Sequence, residues 1–414
     1  MTTPAPAPND SSLPGLLVPA QADRLIGENL PCLPIESLPL VQCAGAVLRE
    51  NIYAERDQPP FDRVAMDGIA LDSSAVRAGH RNFRIEAIQA AGDAPLTLRE
   101  RTGCIEAMTG AMLPTGCDTV VPVEEFSVSS GIARLQDAAL IEAWNHVHRR
   151  GTDSRQGALL LAAGTRMSPP DVAIAASAGM ARVRVSAQPM LIVVSTGNEL
   201  IEPGEPVLPY QVRRSNVYGI IAALRRHGFQ RVADDHVRDD RDEMRTRLKL
   251  HLNTHDVLIL SGGVSMGRFD LVPSLLNELG VRTIFHRVAQ RPGKPFWFGI
   301  AQSGAAVFAL PGNPVSTQVC ISRYVIPALL AAMGETTASV RRIPLAAPVT
   351  VTTKFMQFLP VTTEVDDWGR DWALPRPTNT SGDFTALAGT HGFVELPAGP
   401  NTYPKGFVTR LFRW

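Results

Sequence analysis

Between residues 187 and 336 the apolar positions switch repeatedly between two spacings. Met190-Leu191-Ile192-Val193-Val194 and Val257-Leu258-Ile259-Leu260 are short continuous apolar runs, the pattern of strands buried on both faces. Between them Val217, Ile220, Ile221 and Leu224 recur at helical spacing, and Gly228 is placed to end that helix. Met244, Leu248 and Leu252 mark a second helix face. Two more strands are expected near 296–299 and 306–310, then a long helix opened by Asn313-Pro314 as cap and first-turn proline. Strands alternating with helices predict a parallel α/β sheet covered on both faces.

The pattern changes outside that region. Residues 47–144 carry short apolar runs, such as Thr119-Val120-Val121, punctuated by Gly and Pro, which predicts strands and turns. Residues 15–46 and 145–186 read as mostly helical, the second piece opening a helix at Ser168-Pro169. A strand-rich block between two helical segments predicts an inserted domain, 47–144, on a discontinuous helical linker domain. Residues 187–336 are then the α/β domain and 337–414 a small β domain. Residues 1–14, rich in Pro, Ala and Ser, read as a disordered tail.

Composition narrows the class. A chain of 414 residues, 45% hydrophobic and 19% charged, is globular in type. Forty basic and forty acidic side chains cancel. That disfavours nucleic acid or an anionic membrane as partner, while leaving room for a few local cations around a small anion. The five cysteines, Cys32, Cys43, Cys104, Cys117 and Cys320, include no CxxC pair and read as small core residues in a reducing compartment. The opening segment lacks the basic start and apolar stretch of a secretory leader, and no run approaches ~18 apolar residues, so a cytoplasmic location is expected.

Candidate chemistry gathers at three strand-to-helix turns. They are Ser195-Thr196-Gly197-Asn198-Glu199, Ser261-Gly262-Gly263-Val264-Ser265-Met266-Gly267, and Leu310-Pro311-Gly312-Asn313-Pro314. Each puts Gly, Ser or Thr just past a strand's carboxyl end, where open α/β sheets bind ligands and backbone N–H groups can reach an anion. One such turn is only a way to reverse the chain; three in one sheet point to a binding crest. None matches GxxxxGK[ST] or GxGxxG. Arg287, Arg291 and Lys294 follow nearby, either as a grip on an oxyanion or as a solvated basic edge. Glu199, Asp239, Asp270 and, from the strand-rich block, Asp67 could hold Mg²⁺ beside a phosphate. Each could equally be a turn or helix-start residue. The nine histidines show no HExxH spacing, and no GxSxG is present.

These motifs, read in order, resemble one family along nearly the whole chain after the tail. Pro59-Pro60-Phe61-Asp62-Arg63-Val64-Ala65-Met66-Asp67-Gly68 is similar to its MDG signature, and Thr109-Gly110-Ala111-Met112-Leu113-Pro114 to a second. Arg150-Gly151-Thr152-Asp153, the three turns and Arg291-Pro292-Gly293-Lys294-Pro295 follow at familiar spacing. The family is the molybdopterin molybdenumtransferases, which includes MoeA and the E domain of gephyrin. The resemblance departs in places: Asn198 stands where Asp is common, Arg63-Val64 replaces a polar pair, and Pro360 stands where an arginine is frequent.

The resemblance implies a multidomain α/β and β protein: a central MogA-like parallel sheet, an inserted β-rich domain, a helical linker and a small C-terminal β domain. It implies an elongated homodimer whose clefts are shared between subunits, and the adenylyltransferase of the same pathway as a further partner. Asp67, Thr109, Glu199, Asp239 and Asp270 would be catalytic, with Glu199, Asp239 and Asp270 serving Mg²⁺. Substrate contacts would come from Asp153, Thr196, Gly197, Ser261, Gly262, Gly263, Ser265, Arg287, Arg291, Lys294, Pro311, Gly312, Asn313, Pro314, Ser316 and Ser381. The substrates would be adenylated molybdopterin and molybdate, with AMP released. Two other classes fit the same motifs: a cofactor-binding scaffold, and a hydrolase of a pterin or nucleotide diphosphate.

Overall fold

The computed structural model describes residues 16–138, 140–264, 271–336 and 340–414. At its centre lies a six-stranded sheet in the order Val232–Val237, Leu191–Thr196, Val257–Ser261, Ala306–Leu310, Trp297–Ile300, Arg282–His286. The expected alternation is realised residue by residue. Leu191, Val193, Ile259 and Phe308 pack into one core with the helices Pro19–Asn29, Asn216–Arg226 and the long helix after Asn313. Ile192, Val194, Leu258 and Val307 pack into a second core with Arg241–Thr254 and Val272–Glu278. Burying each such side chain contributes roughly 1.5–3 kcal/mol.

The sheet is not wholly parallel. Trp297–Ile300 runs against both its neighbours. Only Ala301–Ala305 separates it from the next strand, with Gly304 at φ +89, and a turn that short cannot carry a crossover. The long helix spans Pro314–Ala332 and is the one described helix apolar enough by length and composition to cross a membrane. It is 72% buried in the protein and carries Gln318 and Arg323, so it serves as the core helix of this layer. Its middle, Ile321–Val325, widens to a π-turn. Pro327 offers no N–H to the Arg323 carbonyl and its ring crowds that oxygen, which accounts for the widening.

The inserted block forms its own six-stranded sheet, ordered Thr119–Pro122, Gly68–Leu71, Gly103–Ala107, Asn82–Gln89, Ile132–Leu135, Phe126–Ser129. Residues 342–413 supply most of a third six-stranded sheet, which is joined at one edge by Gln290–Arg291. The segments read as mostly helical are mixed. Besides the helices Pro19–Asn29 and Pro169–Ser177, they contain Ile35–Pro39 paired antiparallel with Arg182–Ser186, and Leu159–Leu161 paired with Ile52–Tyr53. Val183 and Val185 are buried while Arg182 and Arg184 are exposed, a period of two that outweighs the helical neighbours. The Pro19–Asn29 helix also buries Ala22 and Ile26 against the α/β core.

Candidate active site at the strand ends

The three turns meet at the carboxyl ends of adjacent parallel strands. Ser195 is in register with Ser261, and Ser261 with Leu310. The glycines of the second turn are required by space and backbone. Gly262 and Gly263 have φ of +103 and +66, and a Cβ on either would stand 3.0 Å from the Thr196 hydroxyl. A Cβ on Gly263 would also come within 2.8 Å of Val272 Cγ2. One on Gly312 would lie 3.5 Å from Gly262 Cα. The result is a cradle of bare backbone around Thr196, whose Oγ1 is buried and has no hydrogen-bond partner. A buried hydroxyl left unpaired costs about 1–3 kcal/mol, which a ligand in the cradle would recover.

The acids sit at the rim. Glu199 is exposed, its carboxylate makes no hydrogen bond or ion pair among the described residues, and it folds back until that carboxylate would lie 2.6 Å from a Cβ on Gly197. Asp239 and Asn198 exchange reciprocal bonds: Asp239 N–H donates to Asn198 Oδ1 at 3.1 Å, and Asn198 N–H to Asp239 Oδ2 at 3.4 Å. Here Asn198 uses only its amide oxygen, as an acceptor, a role that the Asp common at this position in the family could fill as well. Asp240, not Asp239, caps the following helix by accepting from the N–H groups of Asp242 and Glu243. Ser265 and Asp270 lie outside the described residues. Among the described residues no three acids, histidines or cysteines cluster as a metal site.

The cations follow the last strand of the same sheet. Arg287 follows its strand directly, in the left-handed region at φ +80. The chain then leaves the α/β sheet, so Arg291 lies on a strand paired with Met356–Gln357 of the C-terminal sheet. Val288 N–H donates to the Lys294 carbonyl at 2.9 Å to close the loop, and the Lys294 ammonium lies 5.3 Å from the Phe355 ring centre. None of the three cations has an ion pair among the described residues. The third turn is completed from the C-terminal sheet: Asn313 Nδ2 donates to Ser381 Oγ at 2.6 Å, and Val315 N–H to the Ser381 carbonyl at 3.2 Å. Pro311 and Pro314 flank Gly312 and Asn313 in that turn, and Ser316 is buried on the first turn of the helix that follows.

Asp67 and Thr109 are brought together elsewhere. Thr109 donates both its N–H, at 2.6 Å, and its hydroxyl, at 2.7 Å, to one Asp67 oxygen. These donors, the backbone N–H foremost, hold the Asp67 carboxyl below its usual range. Among the described residues of one chain no hydrogen bond or ion pair joins this pair to the three turns. Asp153 lies at the neck of the inserted block, 2.7 Å from His148 Nε2, and is likewise not joined to the turns. The Arg150-Gly151-Thr152-Asp153 motif binds the entering strand there: Arg150 reaches Asp57 at 2.8 Å, and its N–H donates to Asp62.

Three residues with a part in the site escape a reading of the sequence. His236 Nε2 sits 2.9 Å from the Gly197 carbonyl, Arg214 reaches Ser195, and Asn216 reaches the other two turns. The only local signal was a polar run, Arg213-Arg214-Ser215-Asn216, just ahead of an amphipathic helix, where a cap is the ordinary expectation.

Comparison with known proteins agrees with this architecture. Residues 18–179 match the family described as the MoeA N-terminal region (domain I and II), and residues 192–331 match the probable molybdopterin binding domain. The molybdopterin molybdenumtransferase of Synechocystis sp. is 37% identical over 375 residues, covering 89% of this chain and 93% of that protein. That of Bacillus subtilis is 29% identical over 376 residues, covering 88% and 86%. The crystal structure of the molybdopterin biosynthesis MoeA protein from Pyrococcus horikosii superposes with a TM-score of 0.80 at 28% identity, covering 96% of this chain and 99% of that one. The chain therefore belongs to the molybdopterin molybdenumtransferase family.

Proposed function

We propose that this protein is a molybdopterin molybdenumtransferase that works in molybdenum cofactor biosynthesis, placing molybdate on adenylated molybdopterin and releasing AMP. The observation that carries this reading is the cradle of three Gly-rich turns around the unpartnered Thr196 hydroxyl, with Arg287, Arg291 and Lys294, without ion pairs among the described residues, following the last strand of that sheet. Backbone N–H groups of the turns would receive the diphosphate, and Arg291, Lys294 and Ser316 the molybdate. Positioning and charge neutralisation supply the rate, because the transfer asks for no nucleophile from the protein.

Glu199 and Asp239 are hard oxygen donors at the rim, of the type that holds Mg²⁺ while leaving it most of its waters, and Asp270 would complete the set. Bound there, the ion would offset the diphosphate's charge. We further propose a homodimer in which Asp67 and Thr109 of one subunit close over the turns of the other; in support, among the described residues of one chain no hydrogen bond or ion pair joins the two groups. The division into a linker (15–46 with 145–186), insert (47–144), α/β domain (187–336) and C-terminal domain (337–414) belongs to the same proposal, as does a cytoplasmic location.

Incubation with adenylated molybdopterin, Mg²⁺ and either molybdate or tungstate tests the activity. Equal amounts of AMP and metal-loaded cofactor are expected. AMP without metal insertion would indicate a diphosphate hydrolase, and tight binding without AMP a scaffold.

A further inference from the structure

The segment Arg214–Asn216 crosses the carboxyl ends of the three central strands and touches each turn in sequence. Arg214, only 5% exposed, donates from Nε to Ser195 Oγ at 2.5 Å and from a terminal nitrogen to the Asp235 carbonyl at 2.9 Å. Its remaining donors pair with Asp234, at 2.7 Å, and with Glu202. Ser195 opens the first turn and Glu202 follows it by three residues, so one guanidinium holds both ends of the stretch carrying Thr196, Gly197 and Glu199. Two residues on, Asn216 Nδ2 donates to Ser261 Oγ at 3.0 Å and to the Gly312 carbonyl at 2.8 Å. A carbonyl only accepts, so the amide orientation is fixed. Oδ1 is left buried and without a partner, like the Thr196 hydroxyl.

We infer that Arg214 and Asn216 are positioning residues, which set the spacing of the three turns and so the fit of the cradle to its ligand. The chemistry suits the task. A planar five-donor group can tie two strands and a loop at once, which an ammonium cannot. An amide can bridge a hydroxyl and a carbonyl across a gap that a shorter side chain would leave open. Asn216 is also the first residue of an 11-residue helix, so its donors are anchored to a rigid element. The helix does not need these bonds in order to form. Ser or Asp at that place would suit a helix start as well.

The inference rests on the proposed binding of substrate at the turns, and its test separates the two. Asn216→Ser keeps a good helix start but reaches neither partner, and Arg214→Lys keeps the charge but not the fork. Amide hydrogen exchange on the full-length, ligand-free protein should rise in Asn216→Ser at 261–264 and 310–313, and in Arg214→Lys at 195–199. The rest of the chain should match wild type. With adenylated molybdopterin, Asn216→Ser should raise KM roughly 10-fold and spare kcat, since the turns hold ground state and transition state alike. Exchange unchanged at the turns, or raised throughout with lower kcat at an unaltered KM, would reduce both residues to general stabilisers and overturn the inference. If wild type proves inactive on this substrate the activity proposal falls, while the exchange pattern still decides whether these residues set the turns.

Discussion

At the Asp67 corner the polar groups are already assigned: two donors from Thr109 meet one carboxylate oxygen. At the ends of the α/β strands the reverse holds. Thr196 Oγ1 and Asn216 Oδ1 are buried without partners, and Arg287, Arg291 and Lys294 have no counter-charge among the described residues. The first region is a fixed charge presented outward, complete in itself. The second leaves bonds for something else to make, as the proposed receptor would. A cleft built from both would bring a preset carboxylate to a ligand gripped by the strand ends.

The strongest test is whether the two regions act across subunits. Asp67→Ala and Glu199→Ala should each lower activity by roughly 100-fold. Mixed by unfolding and refolding, they should form heterodimers in which one cleft carries both lesions and the other neither, and activity should return toward ~25% of wild type by counting on two-fold symmetry. Activity that stays low, with heterodimers confirmed by mass, would place both residues in one subunit's cleft and end the shared-cleft proposal.

The next test breaks the receptor alone. Gly263→Ala forces a Cβ to within 3.0 Å of the Thr196 hydroxyl at φ +66. The left-handed backbone costs an L-residue about 1–2 kcal/mol and the 2.8 Å approach to Val272 Cγ2 adds roughly 1–3 kcal/mol of overpacking, so thermal unfolding should show a clear loss. Substrate binding should fall far more, by roughly tenfold or beyond, because the cradle itself is filled. Binding that tracks stability alone would mean the cradle is not the receptor.

The unequal legibility of the regions in the sequence has a physical cause. The strands of the α/β sheet, the helix faces at Val217 and Met244, and the caps at Ser168 and Asn313 are visible because each depends on neighbours a few positions away. The glycine turns are visible for the same reason. Asn216 and Arg214 are not, since their partners are 45 and 19 residues off and no spacing rule links them. The linker reads as helical in sequence because its short strands pair over a separation that no local period records: Ile35 meets Ser186.

A milder perturbation addresses the receptor's charge. Arg287→Ala and Arg291→Ala should each weaken substrate binding by up to roughly 10-fold, as for a lost charge-assisted hydrogen bond. The weakening should be larger at low salt, where attraction is least screened. Lysine at either position should restore much of the affinity, since charge and not the fork is required there. Unaltered affinity in both alanine variants would make this a solvated edge and leave the turns to act alone.

The smallest effect is expected at the Asp67 corner, where the carboxylate is fully exposed. Thr109→Val removes the hydroxyl but keeps the backbone N–H, which is the larger cause of the lowered Asp67 pKa. The pKa should therefore rise only part of the way to the unperturbed value near 3.9. A carboxyl whose folded pKa is lowered stabilises the fold above its unfolded pKa and loses that contribution as pH falls through the folded value. The variant should thus give up a little stability above about pH 4 and differ least from wild type in strong acid. At neutral pH Asp67 stays ionised in both proteins, so any change in turnover reports the aim of the carboxylate and not its charge. A carboxyl titration followed by NMR reads the shift directly. A full return to the unperturbed value would show that the hydroxyl alone holds Asp67, and that the corner is less complete than its two hydrogen bonds indicate.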